Sequence, residues 1–290
     1  MYSLDVWCQS ILIGLTIGGI YALIASGLTL AYSVTNQLHL THGDFLAIAL
    51  YFCFILSTSF SIDPYLSFFI TAPIFFGLGI LVYTFIIKPL LSTGTLLTFQ
   101  VFLGLVFIIQ NALLLIFKSD PRQANSFISM KLVNITDSLT MGLPQLIALI
   151  ASTLIGLGFY CMLQKTDFGR AVRAVSEDSE AASLMGVNVS RLRMIIFGLA
   201  FVLILAAASL IAPWWNVSPQ KGLDFTLFAL IIVIVGGMGN FAGALISGFT
   251  IGVLRSISGL LFGPALALIF PYAILLIILI VRPQGIMKGT

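Results

Sequence analysis

Residues 11–32 read ILIGLTIGGIYALIASGLTLAY, an apolar run without one Asp, Glu, Lys or Arg. A helix needs about 20 such residues to cross the hydrocarbon core of a bilayer, and this run is long enough. The rest of the chain is of the same kind. Of its 290 residues, 60% are apolar and 8% charged, against roughly 45–50% and about 25% in soluble domains. Surface-to-volume scaling leaves no way to hide that much apolar surface from water. A soluble enzyme, a disordered tail and a nucleic-acid-binding module are thereby excluded. The apolar runs are far too long for barrel strands and lack their alternation. The fold class is all-α, a polytopic membrane helical bundle of about eight transmembrane segments, some of them discontinuous.

The candidate spans are 11–32, 45–60, 65–87, 96–117, 141–163, 194–212, 225–254 and 265–281, in a single transmembrane domain over 1–290. One connection stands apart. Residues 164–193 hold five cations (Lys165, Arg170, Arg173, Arg191, Arg193) and four acids (Asp167, Glu177, Asp178, Glu180). Short loops rich in Lys and Arg stay in the cytoplasm, which places this loop inside, together with the tail carrying Arg282 and Lys288. Parity then requires 225–254 to go in and come back. Its middle, Val235-Gly236-Gly237-Met238-Gly239-Asn240, is a natural break, and it predicts two short helices meeting at a glycine turn inside the bundle. Counting backwards puts the N-terminus outside and the 34–43 connection inside, and no Lys or Arg before Lys88 opposes this. The opening MYSLDVW lacks a basic n-region, so the first apolar run is expected to stay as a span.

Gly14, Gly18, Ala22 and Ser26 fall four residues apart, as do Ala244, Gly248, Gly252 and Ser256. Small residues let helices in lipid approach closely, so both stripes are read as packing faces. A sharper reading makes them corresponding helices of two pseudo-symmetric halves, interrupted at 35–43 and 236–240.

Thr35-Asn36-Gln37-Leu38-His39-Leu40-Thr41-His42-Gly43-Asp44 is the most polar run in the first third and holds both histidines. Ionisable groups near membrane depth are costly and face a cavity or pathway. Thr41, His42 and Asp44 are therefore candidates for a substrate pathway, with Gly236, Gly237 and Gly239 at the second interruption. The same run also suits a helix start, with Thr41 as N-cap and Asp44 reaching back to an amide. A metal at His39, His42 and Asp44 would lack further ligands. Cys8, Cys53 and Cys161 are widely spaced, so neither a metal centre nor a disulfide framework is expected.

In the basic loop, Ser176-Glu177-Asp178-Ser179-Glu180-Ala181-Ala182-Ser183-Leu184-Met185-Gly186 predicts a short surface helix over 176–185. Ser176 is its expected N-cap and Gly186 its C′ residue.

These segments resemble the permease subunits of ATP-binding cassette importers, above all the branched-chain amino acid (Liv-type) permease family. The resemblance rests on Glu180-Ala181-Ala182 followed after three residues by Gly186, and on Phe168-Gly169-Arg170-Ala171-Val172-Arg173-Ala174-Val175 before it. It rests also on Gly27-Leu28-Thr29-Leu30 with Leu40-Thr41-His42-Gly43-Asp44-Phe45, on Gly236-Gly237-Met238-Gly239-Asn240-Phe241-Ala242-Gly243-Ala244, and on Val281-Arg282-Pro283-Gln284-Gly285. The family often has Phe-Ala-His-Gly-Glu where residues 40–44 stand, a conservative departure. The Leu-Pro element that follows the signature in other importer families is missing, as befits the Liv branch.

The resemblance implies that Arg170, Arg173, Glu180, Ala181, Ala182 and Gly186 form a coupling helix docking into an ATPase. It also implies a second permease subunit, two cytoplasmic ATPase subunits that hold ATP and magnesium, and an external substrate-binding protein. The chain itself has no Gly-x4-Gly-Lys-Ser/Thr loop, so it is expected to be a transporter subunit without its own cofactor, in the bacterial inner membrane. Related permeases move leucine-type amino acids, urea or short amides. Outer segments 118–140 and 213–224 are those able to meet the binding protein, and Trp214 and Trp215 in the latter also suit interfacial anchoring. From another class, a stand-alone secondary transporter or channel would need no coupling helix.

Overall fold

A computed structural model describes residues 3–136, 139–282 and 284–287, so Pro283 and Lys288 lie outside the described residues. The chain runs α1 (Leu4–Thr35), α2 (His42–Ser59), α3 (Pro64–Val82), a π turn (Tyr83–Ile87), α4 (Lys88–Leu90) and α5 (Thr95–Phe117). A hairpin of β1 (Leu132–Thr136) and β2 (Leu139–Gly142) precedes α6 (Leu143–Lys165), α7 (Asp167–Glu177), α8 (Ser179–Leu184) and α9 (Val189–Ile211). Then come α10 (Lys221–Gly236), α11 (Phe241–Phe262), α12 (Pro264–Ala267) and α13 (Ile269–Val281). Among the described residues seven helices are long and apolar enough to cross a bilayer: α1, α2, α3 with α4, α5, α6, α9 and α11. The protein is an all-α polytopic membrane bundle. The π turn sits just before Pro89, whose ring would otherwise press on the carbonyl four residues back.

Lipid supplies no hydrophobic drive between helices, so close backbone approach decides which ones pair. α1 lies at the centre, packed on α9, α6, α10 and above all α11. The two small-residue stripes face each other in antiparallel register. A Cβ on Gly14 would stand 2.7 Å from the Val253 Cα, one on Gly18 2.9 Å from the Phe249 Cα, and one on Gly248 2.5 Å from the Ala22 Cα. α2 is wedged between α9 and α10, while α3 lines the other side of α9.

The two ends of the bundle differ. At one end Arg193 Nε, at the start of α9, donates to the Val34 carbonyl (2.8 Å), and Gln37 Nε2 donates to the Leu90 carbonyl (3.2 Å). This end carries α7 and α8. At the other end Gln9 Nε2 donates to the Thr140 carbonyl (2.6 Å). There Arg122 and Val217 exchange backbone bonds (3.0 and 2.6 Å), and Gln123 Nε2 and Ser129 Oγ both donate to the Pro213 carbonyl (2.9 and 3.1 Å). The two predicted outer segments are thus one joined surface. Trp214 and Trp215 are half-buried in it, with Trp214 Nε1 donating to the Leu210 carbonyl (3.0 Å).

Three expectations are corrected. The span starting at 141 begins instead at Leu143, because Met141 and Gly142 pair with Val133 and Leu132 in a hairpin. The 225–254 segment does break at its glycines, but α11 is a full 22-residue helix and only α10, at 16 residues, is short. Nor is the turn inside the bundle. Gly239 and Asn240 share a crevice with Arg173 and Ser176 at the end that carries α7.

Candidate functional site

The N-terminal ends of α2 and α10 meet within the bundle. His42 Nε2 donates to the carbonyl of Ile24, three turns before α1 ends (3.0 Å), and Gly43 N donates to Thr226 Oγ1 in the second turn of α10 (2.9 Å). Glycines at both contacts make this possible, since a Cβ on Gly43 would strike the Gly222 carbonyl and one on Gly222 the Asp44 carboxylate. Thr41 precedes α2 as N-cap, yet its side chain makes no capping bond. Asp44 does not complete a capping box either. Its Oδ1 accepts from Gln110 Nε2 of α5 (2.9 Å), and its Oδ2 is buried without a partner. Thr41, His42 and Asp44 are all buried, Asp44 completely. His39 is buried edge-on to Phe102 and Phe197, with ring centroids 4.9 and 5.2 Å away.

Gly236, Gly237 and Gly239 are not part of this cluster. Ten residues of α10 separate Thr226 from Gly236, about 15 Å along a helix. Gly237 (φ +103°) and Gly239 (φ +85°) turn the chain with left-handed backbones, and Asn240 Oδ1 caps α11 by accepting from Gly243 N (2.9 Å). A side chain on Gly237 would strike the Met287 carbonyl, because the segment after α13 lies across this turn. Ile286 N donates to the Val235 carbonyl (2.8 Å) and Met287 N to that of Gly236 (3.3 Å).

The expected coupling segment is two helices, not one. Ser176 lies within α7, and the cap of α8 is Asp178, whose Oδ1 accepts from Glu180 N and Ala181 N (2.8 and 3.0 Å). At the far end Gly186 (φ +90°) donates to the Ser183 carbonyl (3.0 Å) and Val187 N to that of Ala182 (3.1 Å). This pair of bonds is a Schellman motif, which satisfies the last helix carbonyls by a left-handed turn. Glu180, Ala181 and Gly186 are exposed, whereas Ala182 turns inward and packs with Val172 and Val175 of α7 in the core. Arg170 is exposed and paired with Asp167, while the Arg173 guanidinium donates to the Leu163 carbonyl near the end of α6.

Residues 10–279 match the family described as the branched-chain amino acid transport system / permease component. The chain belongs to this family. It is 24% identical to the high-affinity branched-chain amino acid transport system permease protein BraD of Pseudomonas aeruginosa, over 97% of this chain and 95% of that one. It is 26% identical to the corresponding protein LivH of Salmonella typhimurium, over 96% and 94%. To a probable branched-chain amino acid transport permease protein LivH of Methanocaldococcus jannaschii it is 29% identical, over 91% and 87%. No solved structure matches the chain.

Several residues of this permease component escaped the sequence reading. Gln110 and Thr226 sit in ordinary apolar spans, and only the fold brings them to Asp44 and Gly43. Arg255, half-buried in α11, lies over the rings of Phe228 and Tyr21 (4.8 and 5.6 Å to the centroids) in a cation–π clamp. Leu184 and Met185, 90% and 86% exposed, protrude beside Glu180 and Gly186. Two adjacent apolar residues inside a charged loop were the signal available for that pair. Among the described residues no three His, Cys, Asp or Glu side chains gather as a metal site.

Proposed function

We propose that this chain is the permease subunit of an ATP-binding cassette importer that carries branched-chain or related amino acids inward across the bacterial inner membrane. The observation that carries the reading is the α7–α8 element, which projects Glu180, Ala181, Leu184, Met185 and Gly186 from one end of a multi-pass bundle. An apolar pair ringed by polar groups is the pattern of a docking site. Its partner is an ATPase subunit that holds ATP and magnesium, since the chain carries no phosphate loop of its own. Two such ATPases, a second permease subunit and an external substrate-binding protein complete the assembly around this single domain of residues 1–290. Lys88, Lys165, Arg170, Arg173, Arg191, Arg193 and Arg282 all belong to the α7–α8 end, and Lys118, Arg122, Lys131 and Lys221 lie towards the other. That bias supports a cytoplasmic α7–α8 end and C-terminus.

The relatives' names support branched-chain amino acids as substrates. Thr41, His42 and Asp44 are proposed to line the pathway where α2 and α10 meet. Gly236, Gly237 and Gly239 are proposed to act at its cytoplasmic end, next to α7. Purification from the native membrane tests the assignment. An ATPase co-purifying in equal amount, with leucine uptake by the reconstituted complex, is the expected result. Leucine movement by the isolated chain, without ATP, would establish a stand-alone carrier instead.

A further inference from the structure

Asp44 is an unusual group to leave where it is. It is completely buried, one carboxylate oxygen has a single amide donor, and the other has none. A buried carboxylate with an open oxygen is costly unless something positive comes to it. The cover is thin. Its one donor, Gln110, is half-buried on α5, and the next residue, Asn111, is exposed with its amide turned back on the Phe107 carbonyl (2.7 Å). On the other side Asp44 touches Gly222 in the first turn of α10, whose neighbours Lys221 and Asp224 form an exposed ion pair (3.3 Å, side chains 49% and 57% exposed). Further back along α5, nearly two and nearly three turns before Gln110, Gly104 opens onto empty space and Gln100 is exposed, its side chain without a partner among the described residues. Amides and an ion pair on apolar spans do not belong against lipid; they face water or another polar surface.

We propose that Asp44 is the subsite for the ammonium group of an α-amino acid in transit, reached from the surface of Gln110, Asn111, Lys221 and Asp224 by displacement of the Gln110 side chain. The inference rests on the amino-acid reading above. An ammonium brings three donors and a full charge to the open oxygen and replaces the bond that Gln110 gives up. The N-terminal ends of α2 and α10 place the positive ends of two helix dipoles beside the carboxylate, which favours its negative charge while the site is empty. Substrates without a cationic group, such as urea or a simple amide, lack the group this site binds.

The test uses the complete transporter in liposomes, with ATPase and binding protein. Asp44→Asn keeps the shape and the Gln110 bond but removes the charge, and leucine uptake should fall about 30-fold or more while assembly with the ATPase is retained. Unchanged uptake would overturn the subsite. If Asp44→Asn fails to assemble, Gln110→Cys in a chain with Cys8, Cys53 and Cys161 replaced by serine decides the matter. A cationic methanethiosulfonate should modify the thiol introduced by Gln110→Cys about tenfold faster than an anionic one of equal length, and leucine turnover should protect it. Equal rates would overturn the proposal. A wild-type complex that moves urea or amides but no α-amino acid would remove the amino-acid reading, whereas normal leucine uptake by the Asp44→Asn variant would remove this inference alone.

Discussion

At the residue scale, the α7–α8 segment shows how much one backbone angle carries. Gly186 at φ +90° ends α8 and turns the chain towards Val189. A β-branched residue there loses roughly 1–2 kcal/mol to the left-handed region, and the Schellman bonds to Ala182 and Ser183 would be lost with it. Gly186→Val and Glu180→Lys should each abolish ATPase pull-down and ATP-driven uptake, with binding of the external substrate protein retained. Leu184→Asp and Met185→Asp should do the same without unfolding the bundle, because both side chains are almost fully exposed. Normal ATPase stimulation by all four variants would reduce the loop to a solvated connector. The C′ glycine was legible from the charged, capped pattern around it. The cap itself was misread, because Ser176 and Asp178 are both good caps and only the extended backbone of Asp178 (φ −150°) selects between them.

At the element scale, two glycine arrangements do different jobs. The stripe on α11 brings its backbone against α1, so Gly252→Leu would overpack that contact at a cost of about 1–3 kcal/mol. Thermal unfolding in detergent should show a lowered midpoint, while Gly104→Ala, inside α5 and meeting nothing within 4 Å, should not lower it. The second arrangement is the α10–α11 turn, where Gly237 combines a positive φ with a backbone neighbour from the C-terminal segment. Gly237→Val should lower both expression and uptake. Normal uptake in that variant would mean that the 284–287 segment is free to move off the turn. The periodic spacing of the stripes announced close packing, but not that the two stripes pack on each other; spacing along one helix carries no information about its partner.

At the scale of the whole molecule, the asymmetry of charge between the two ends makes orientation testable. Leu184→Cys, in a chain otherwise free of cysteine, should react with an impermeant thiol reagent only from the cytoplasmic face. Gln123→Cys and Lys131→Cys should react only from outside. Reaction of both classes from one face would overturn the parity of the spans. Hydrogen bonds join 122–131 to 213–217 in one surface, so in the proposed assembly an external binding protein would meet one platform in place of two separate loops.

Membrane residence, the all-α class, the number of long spans to within one or two and the charged 164–193 loop were settled by the amino-acid sequence, because they depend on local hydropathy and on charge along the chain. The helix break at 236–239 was settled there too, since glycine's backbone freedom is a local property. The depth of that break was not. It depends on how far α10 reaches before turning, and so on the meeting of α2 with α10 that only packing sets. The candidate pathway was legible only in part: Asp44 and His42 stood out as polar groups in an apolar chain, whereas Gln110, Gly222 and Thr226 come from helices 66 to 183 positions away. Their nearness to Asp44 is a consequence of tertiary contact, which no local pattern encodes.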